Sequence, residues 1–212
     1  MSCAVTHDDS RLTPHLAQLA HRKTYSPRLH ALIHEAHALF GKRKTELDQT
    51  NLLRLLQSIV FSDVNERLDS LSPGEVGYVS VADEPEFTIG IFLLAPGATI
   101  PLHDHPEMCV ASQLVFGSVE ITSFDYWDQS SLTARVVDNH VVCHAPHTRT
   151  LFPTSGGNLH TFTTQTGCIF LDVMSPPYAD ERECTYYQAY EMNDGMFRMQ
   201  PFCTDFEMLD MS

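Results

Sequence analysis

His103 and His105 stand two apart in APGATIPLHDHPE, residues 95–107, beside a run of apolar residues. On a β-strand, residues i and i+2 face the same side, so both imidazoles can project together into an interior. Pro101 and Pro106 bracket the pair and restrict the local backbone, which suits a preorganised metal site. A third nitrogen could come from His160, in NLH, if its strand lies beside the first pair. The glycines of PTSGGNLH let the chain turn tightly just before that residue. An HxH pair alone is also compatible with two hydrogen-bonded or solvent-facing histidines. The stiff turn, the β-rich surroundings and the distant GGNLH element favour a metal-ligand set.

Other chemistry-bearing residues divide by context. Asp172 is a lone acid in the apolar run IFLDVMSPPY, and burying it without a partner would be costly. Cys184 and Tyr186, in CTYY, are two apart and can share a strand face; ordinary barrel packing accounts for them equally well. His34 and Glu35 begin a pattern like HExxH, but position 38 is Ala38, so the zinc-protease motif fails and His30, His34 and His37 read as helix-surface residues or as packing between the helical region and the β body. His140, His144 and His147 surround a turn in DNHVVCHAPHTR, where one could reach the rim of a site. Cys109 and Cys143 read as buried packing rather than reactive thiols. No GxGxxG or phosphate loop occurs, so no nucleotide cofactor is implied.

The elements that must hold these residues change character near residue 75. Before it, apolar residues recur at helical spacing. In PRLHALIHEAHALFGKR, Leu29, Leu32, Ile33, Ala36, Leu39 and Phe40 form one face, with Pro27 near the start and Gly41 as a stop. A second helix is predicted through NLLRLLQSIVFSDVNERL, and SPGEVG breaks the pattern at 72–77. After it come short, β-branched apolar runs separated by turns, the pattern of an antiparallel sandwich or barrel. The predicted organisation is a helical region over 1–75 packed on an all-β body over 76–212. Residues 184–209 are expected to add an edge strand and a tail.

Composition narrows the function. At 212 residues with 43% hydrophobic content, the chain fits one domain with a sizeable core. Its net charge is -14, against a dedicated nucleic-acid binder and against docking on an acidic membrane. Residues 1–80 carry nine basic and nine acidic side chains; residues 81–212 carry four and eighteen. The β-rich body therefore holds the whole excess, which keeps a protein soluble and monomeric and favours cationic over anionic ligands. No targeting segment is evident in the opening MSCAVTHDDSR, and no stretch approaches the roughly 18 apolar residues of a membrane helix. Six cysteines without a CxxC pair read as mostly reduced thiols in the cytoplasm, with nuclear entry left open although GKRKTE is too short a basic cluster to indicate it.

Taken together, GATIPLHDHPE, VFGSVEITSFDYW, GGNLHTF, LDVMSPPY and CTYY resemble, in the same order, the thiol dioxygenases of the cysteamine dioxygenase and plant cysteine oxidase family. The resemblance implies a mainly β fold, the cupin double-stranded β-helix, with a helical N-terminal region. It implies Fe(2+) held by His103, His105 and His160, and departs from generic cupins, which carry a glutamate ligand near the place of Val110. It implies O2 and a thiol as substrates, with the N-terminal cysteine of a protein oxidised to the sulfinic acid in an oxygen-sensing N-degron pathway. A small free thiol such as cysteamine is the alternative substrate, and a non-catalytic ligand-binding cupin the alternative of another class. By the same resemblance, Asp172 accepts a hydrogen bond from a ligand histidine such as His160. Tyr186 lies near the iron, and Cys184 with Tyr186 matches a pair that forms a thioether link in some animal members.

Overall fold

A computed structural model describes residues 25–41, 49–64 and 68–212. Cys3, the opening MSCAVTHDDSR and positions 42–46 of the basic cluster lie outside the described residues. Helix α1 (Pro27–Phe40) starts where Ser26, in extended backbone, accepts the Leu29 N–H at 3.2 Å, while Pro27 has no N–H to satisfy. It stops at Gly41, whose N–H returns to the His37 carbonyl at 3.0 Å. Leu29, Leu32, Ala36 and Leu39 are buried along one face, as the spacing predicts.

The second helix is shorter than the spacing predicts. It divides into α2 (Thr50–Ser58), α3 (Phe61–Val64) and a single 3-10 turn at Leu68–Ser70. Ile59 is extended (φ -69°, ψ 131°) and buried. Just beyond it, the Asp63 carboxylate captures the Val60 N–H at 2.9 Å. A local side-chain-to-backbone bond of this kind competes with helix continuation, and Arg28 fastens the same carboxylate to α1 at 3.1 Å.

The strands among the described residues are β1 (Val76–Asp83), β2 (Thr88–Leu94), β3 (Thr99–His103), β4 (Cys109–Asp128), β5 (Thr133–His144), β6 (His147–Leu151), β7 (Leu159–Thr163), β8 (Cys168–Ser175), β9 (Tyr187–Glu191), β10 (Met196–Pro201) and β11 (Leu209–Asp210). The long β4 serves two sheets. Its first half pairs with β6 and β8, its second with β5 and β7. One sheet therefore runs β11-β1-β2-β8-β4-β6 and the other β3-β7-β4-β5-β10-β9. Apart from the parallel β1–β11 contact, the pairing is antiparallel. Two such sheets closed around Leu94, Ile100, Leu114, Ile121, Phe162 and Phe170 make a cupin-type double-stranded β-helix, as the sequence resemblance implies.

The outer face of the first sheet is covered by the helices. Leu29, Leu32, Leu52 and Leu56 share one buried cluster with Val79, Phe87, Ile91 and Leu171. His37 sits edge-on to Phe87 at 5.0 Å and 3.6 Å from Glu84, so this histidine packs helix on sheet. At the other end, the single edge strand expected after residue 184 is a hairpin. Asp194 (φ 64°) and Gly195 (φ 70°) reverse the chain, so β9 and β10 pair with each other and β10 with β5. Cys109, Cys143, Cys168 and Cys184 are free thiols; Cys203 is disulfide-bonded, so the expectation of reduced thiols holds for the former four. No described helix is long and apolar enough to cross a membrane.

Candidate metal centre

His103 ends β3 and lies directly across from His160 on β7 in the antiparallel register. His105 follows two residues later. The three ring centroids lie 4.7 to 4.9 Å apart, and one nitrogen from each converges within 4.8 Å of the others. All three side chains are buried. Each Nδ1 meets a backbone carbonyl: His103 that of Pro101 at 2.8 Å, His105 that of Asn158 at 3.0 Å, His160 that of Gly157 at 3.1 Å. Since a carbonyl only accepts, Nδ1–H donates in every case, leaving each Nε2 lone pair for a metal.

Burial also keeps the rings neutral. It pulls His103 down to about 4. Burial and the neighbouring His103 bring His105 to about 3, and burial and the other two rings hold His160 well below its ordinary value. Three neutral, oriented imidazoles at one focus fit a mononuclear Fe(II). Val110, at the place of the generic cupin glutamate, is a buried side chain beside His160 and offers no ligand.

The loops that present the ligands are fixed by residues that sequence reasoning passed over. Asn158 accepts the His105 N–H through its side chain at 3.1 Å and donates from Nδ2 to the His105 and Phe152 carbonyls, both at 2.9 Å. It buckles the HDH segment to the turn before His160. Asp125 on β4 accepts the N–H groups of Gly156, Gly157 and Asn158 at 2.8 to 3.1 Å. Gly157 needs its φ of +81°, and a Cβ there would come within 2.6 Å of the Ser123 hydroxyl, so the glycine reading of GGNLH stands on geometry.

Asp104 points away from the metal side. It accepts the Thr185 N–H and the Tyr187 hydroxyl, each at 2.9 Å, while its own carbonyl accepts the Tyr178 hydroxyl at 2.8 Å. Those three bonds hold the segment from Tyr178 to Tyr187 against the centre. The Tyr178 ring lies 5.9 Å from His105 and the Tyr186 ring 6.2 Å from His103. Cys184 hydrogen-bonds with both tyrosine hydroxyls, and burial pushes its thiol up to about 12, reinforced by the Asp104 charge. At neutral pH it is therefore a protonated neighbour of the site.

One expectation fails. Asp172 does not receive the His160 Nδ1–H, which goes to Gly157. Asp172 does line the same small cavity as His160, with Ser112 and Arg149, yet its Oδ1 has no partner. Arg149 is engaged elsewhere, by Asp138 at 2.7 Å. Burial therefore dominates at Asp172 and raises its carboxyl to about 7, with the Ser112 hydroxyl partly opposing it. His140 is on the outer surface, 2.8 Å from Glu120.

The chain is similar to known proteins in sequence. The PCO_ADO family matches residues 42–205. The chain is similar to Plant cysteine oxidase 2 of Arabidopsis thaliana, 42% identical over 123 residues, covering 54% of this chain and 45% of that protein. It is also similar to a probable 2-aminoethanethiol dioxygenase of Dictyostelium discoideum, 31% identical over 144 residues, covering 63% of this chain and 65% of that one. The chain spans about half the length of the plant relatives it matches. A solved RmlC-like cupin from Shewanella frigidimarina aligns at 19% identity over 51% of this chain and 82% of its own, with a TM-score of 0.39.

Proposed function

The chain belongs to the PCO_ADO family, and from that premise we propose that it is an iron-dependent thiol dioxygenase acting on the N-terminal cysteine of proteins or peptides. The observation that carries the reading is the focus of three buried, neutral imidazoles without a carboxylate ligand. His103, His105 and His160 hold the metal. The reaction adds both oxygen atoms of O2 to one sulfur, R–SH + O2 → R–SO2H, with no other reductant. Bound Fe(II) supplies the redox chemistry that lets O2 react with a thiol, and its undiminished positive charge favours the thiolate.

The chain's own residues orient and select. Carbonyls of Pro101, Asn158 and Gly157 fix each imidazole, the role that outer partners play in metal sites generally. Tyr178 and Tyr186 frame the site, with Cys184 tethering both hydroxyls, and orient the sulfur-bearing end of the substrate. Asp172, an unspent acceptor in the cavity at His160, directs hydrogen bonding beside the ligand set. The segment between the tyrosines carries exposed Asp180, Glu181 and Glu183, and Phe206, against Tyr186 at 5.9 Å, is flanked by exposed Asp205 and Glu207. Carboxylates around the framing residues suit a cationic substrate end, the free amine of an N-terminal cysteine or a basic residue after it.

A monomer in the cytoplasm or nucleus is the form proposed, which suits the free Cys109, Cys143, Cys168 and Cys184 though not the disulfide at Cys203. A sulfinic N-terminus would feed an N-degron pathway and couple oxygen supply to protein lifetime, a consequence supported by the family resemblance. The test is to load purified protein with Fe(II), supply O2, and follow the masses of a Cys-initiated peptide, free cysteine and cysteamine. A gain of about 32 Da on the peptide, the mass of one O2, is expected. Gain on cysteamine alone would move the assignment to a small thiol, and no gain on any thiol with iron bound would leave a ligand-binding cupin.

A further inference from the structure

Ser112, Asp172 and Arg149 occupy one row across three strands. Ser112 on β4 is paired in register with Asp172 on β8 and with Arg149 on β6, so their side chains share the barrel's inner face. Gly90 continues the row on β2 beside Asp172. The Tyr78 ring lies where a Gly90 side chain would be, closing the row on that side. Arg149 turns its guanidinium to Asp138, which also accepts the Ser123 hydroxyl at 2.6 Å. The row is thus left with two buried polar atoms, Ser112 Oγ and Asp172 Oδ1, neither with a partner in good hydrogen-bond geometry, although the Ser112 hydroxyl is near enough to the Asp172 carboxyl to favour its charged form.

Those two orphans line the same cavity. Its other walls are Val110, Leu151, Phe162 and the ligand His160. Its volume is about 10 Å³, room for one water molecule and too little for a thiol substrate. A buried hydroxyl and a buried carboxylate left unpaired each cost stability, and a molecule able both to donate and to accept satisfies them together. O2 could fill the space but could not donate to the carboxylate. We propose that this cavity is a single-water site, and that Ser112, through that water, is the positioning residue that holds the Asp172 carboxylate beside His160. The water donates to Asp172 Oδ1, and Ser112 Oγ takes up its remaining bonding capacity. Ser112 touches neither substrate nor metal in this arrangement; it acts through Asp172.

The activity arm of the test rests on the thiol dioxygenase reading; the structural arm does not. A high-resolution crystal structure of the iron-loaded protein should show a density peak within hydrogen-bond distance of both Ser112 Oγ and Asp172 Oδ1. In Ser112→Ala the peak should weaken or leave, with iron content unchanged. The kcat for a Cys-initiated peptide should then fall about tenfold with little change in KM, the size of effect typical of residues that orient a metal site from outside. Ser112→Thr, which keeps the hydroxyl, should recover most of the loss. A dry cavity, or a peak bonded to neither residue, overturns the water site. A bridging peak with kcat unaltered in Ser112→Ala overturns the positioning role. If the wild type oxidises no thiol, the function reading fails while the density still decides the water.

Discussion

Asp172→Asn in the metal-free protein should be stabilising at alkaline pH and not at acidic pH. Burial lifts the Asp172 carboxyl from 3.8 to about 7. Between those values the folded protein retains a proton that the unfolded chain has released. Stability is therefore free of penalty below about pH 4, declines as pH rises, and carries the whole cost of the buried anion above about pH 7. A gap of about 3 units corresponds to about 4 kcal/mol. The asparagine amide is itself polar and incompletely bonded there, which returns about 2 kcal/mol. A net gain of about 2 kcal/mol at pH 8 follows, or about 4–8 °C in Tm for a domain of this size. Burial raises the nearby Tyr78 hydroxyl further from this range, and the ligand histidines are common to both proteins, so the difference isolates Asp172. Thermal unfolding of chelator-treated wild type and variant at pH 5 and pH 8 measures it. A variant less stable than wild type by the same margin at both pH values would refute the reasoning, because it would mean that the charged carboxylate is paired, with Arg149 the available cation.

The remaining predictions bear on the ligands and their supports. His160→Ala should lose iron and dioxygenase activity together, and normal iron content by elemental analysis would show that another residue completes the set. Asn158→Ala should leave the fold intact but weaken iron affinity about 10- to 100-fold in chelator competition, since the HDH segment and the turn before His160 would no longer be buckled; unchanged affinity would remove Asn158 from that role. Leu32→Ala, fully buried between α1 and the first sheet, should cost about 2–5 kcal/mol in urea unfolding with iron stoichiometry preserved. A parallel loss of iron would show that the helical layer holds the metal site as well as the fold.

The parts of the protein legible in the sequence are those written in side-chain periodicity. The α1 face from Leu29 to Leu39 follows from 3.6-residue spacing; strand alternation reaches only His103, because β3 ends there and His105 is held beyond it by Asn158. The split of the second helix was not legible, because it depends on Asp63 reaching back to a backbone N–H and on Ile59 finding a tertiary slot. At the metal centre the residue types were visible while the supports were not. The Nδ1 partners are carbonyls of Pro101, Asn158 and Gly157, and a carbonyl leaves no trace in residue identity. A buried acid demands a partner, and the family resemblance implied a ligand histidine for Asp172; the structure gives the His160 Nδ1–H to the backbone and leaves the acid's Oδ1 without a partner in good geometry.

The acidic excess on the β-rich body divides into carboxylates with different physical uses. Asp104 is turned inward and spent on Thr185 and Tyr187. Asp125 is spent on three N–H groups of the turn before His160, and Asp138 on Arg149 and Ser123. These act at hydrogen-bond range, and their contribution to a distant ligand is reduced by the partners they already hold. Asp180, Glu183, Asp205 and Glu207 are exposed, around the segments that frame Tyr186, while Glu181 there is paired with Arg182 at 3.1 Å; only charges of the first kind act on a ligand before contact, and salt screens them over about 10 Å at ordinary ionic strength. The net charge of -14 is thus a poor measure of steering. What counts is the exposed subset beside the tyrosines, and a cationic substrate end would feel it most in the last few ångströms of approach.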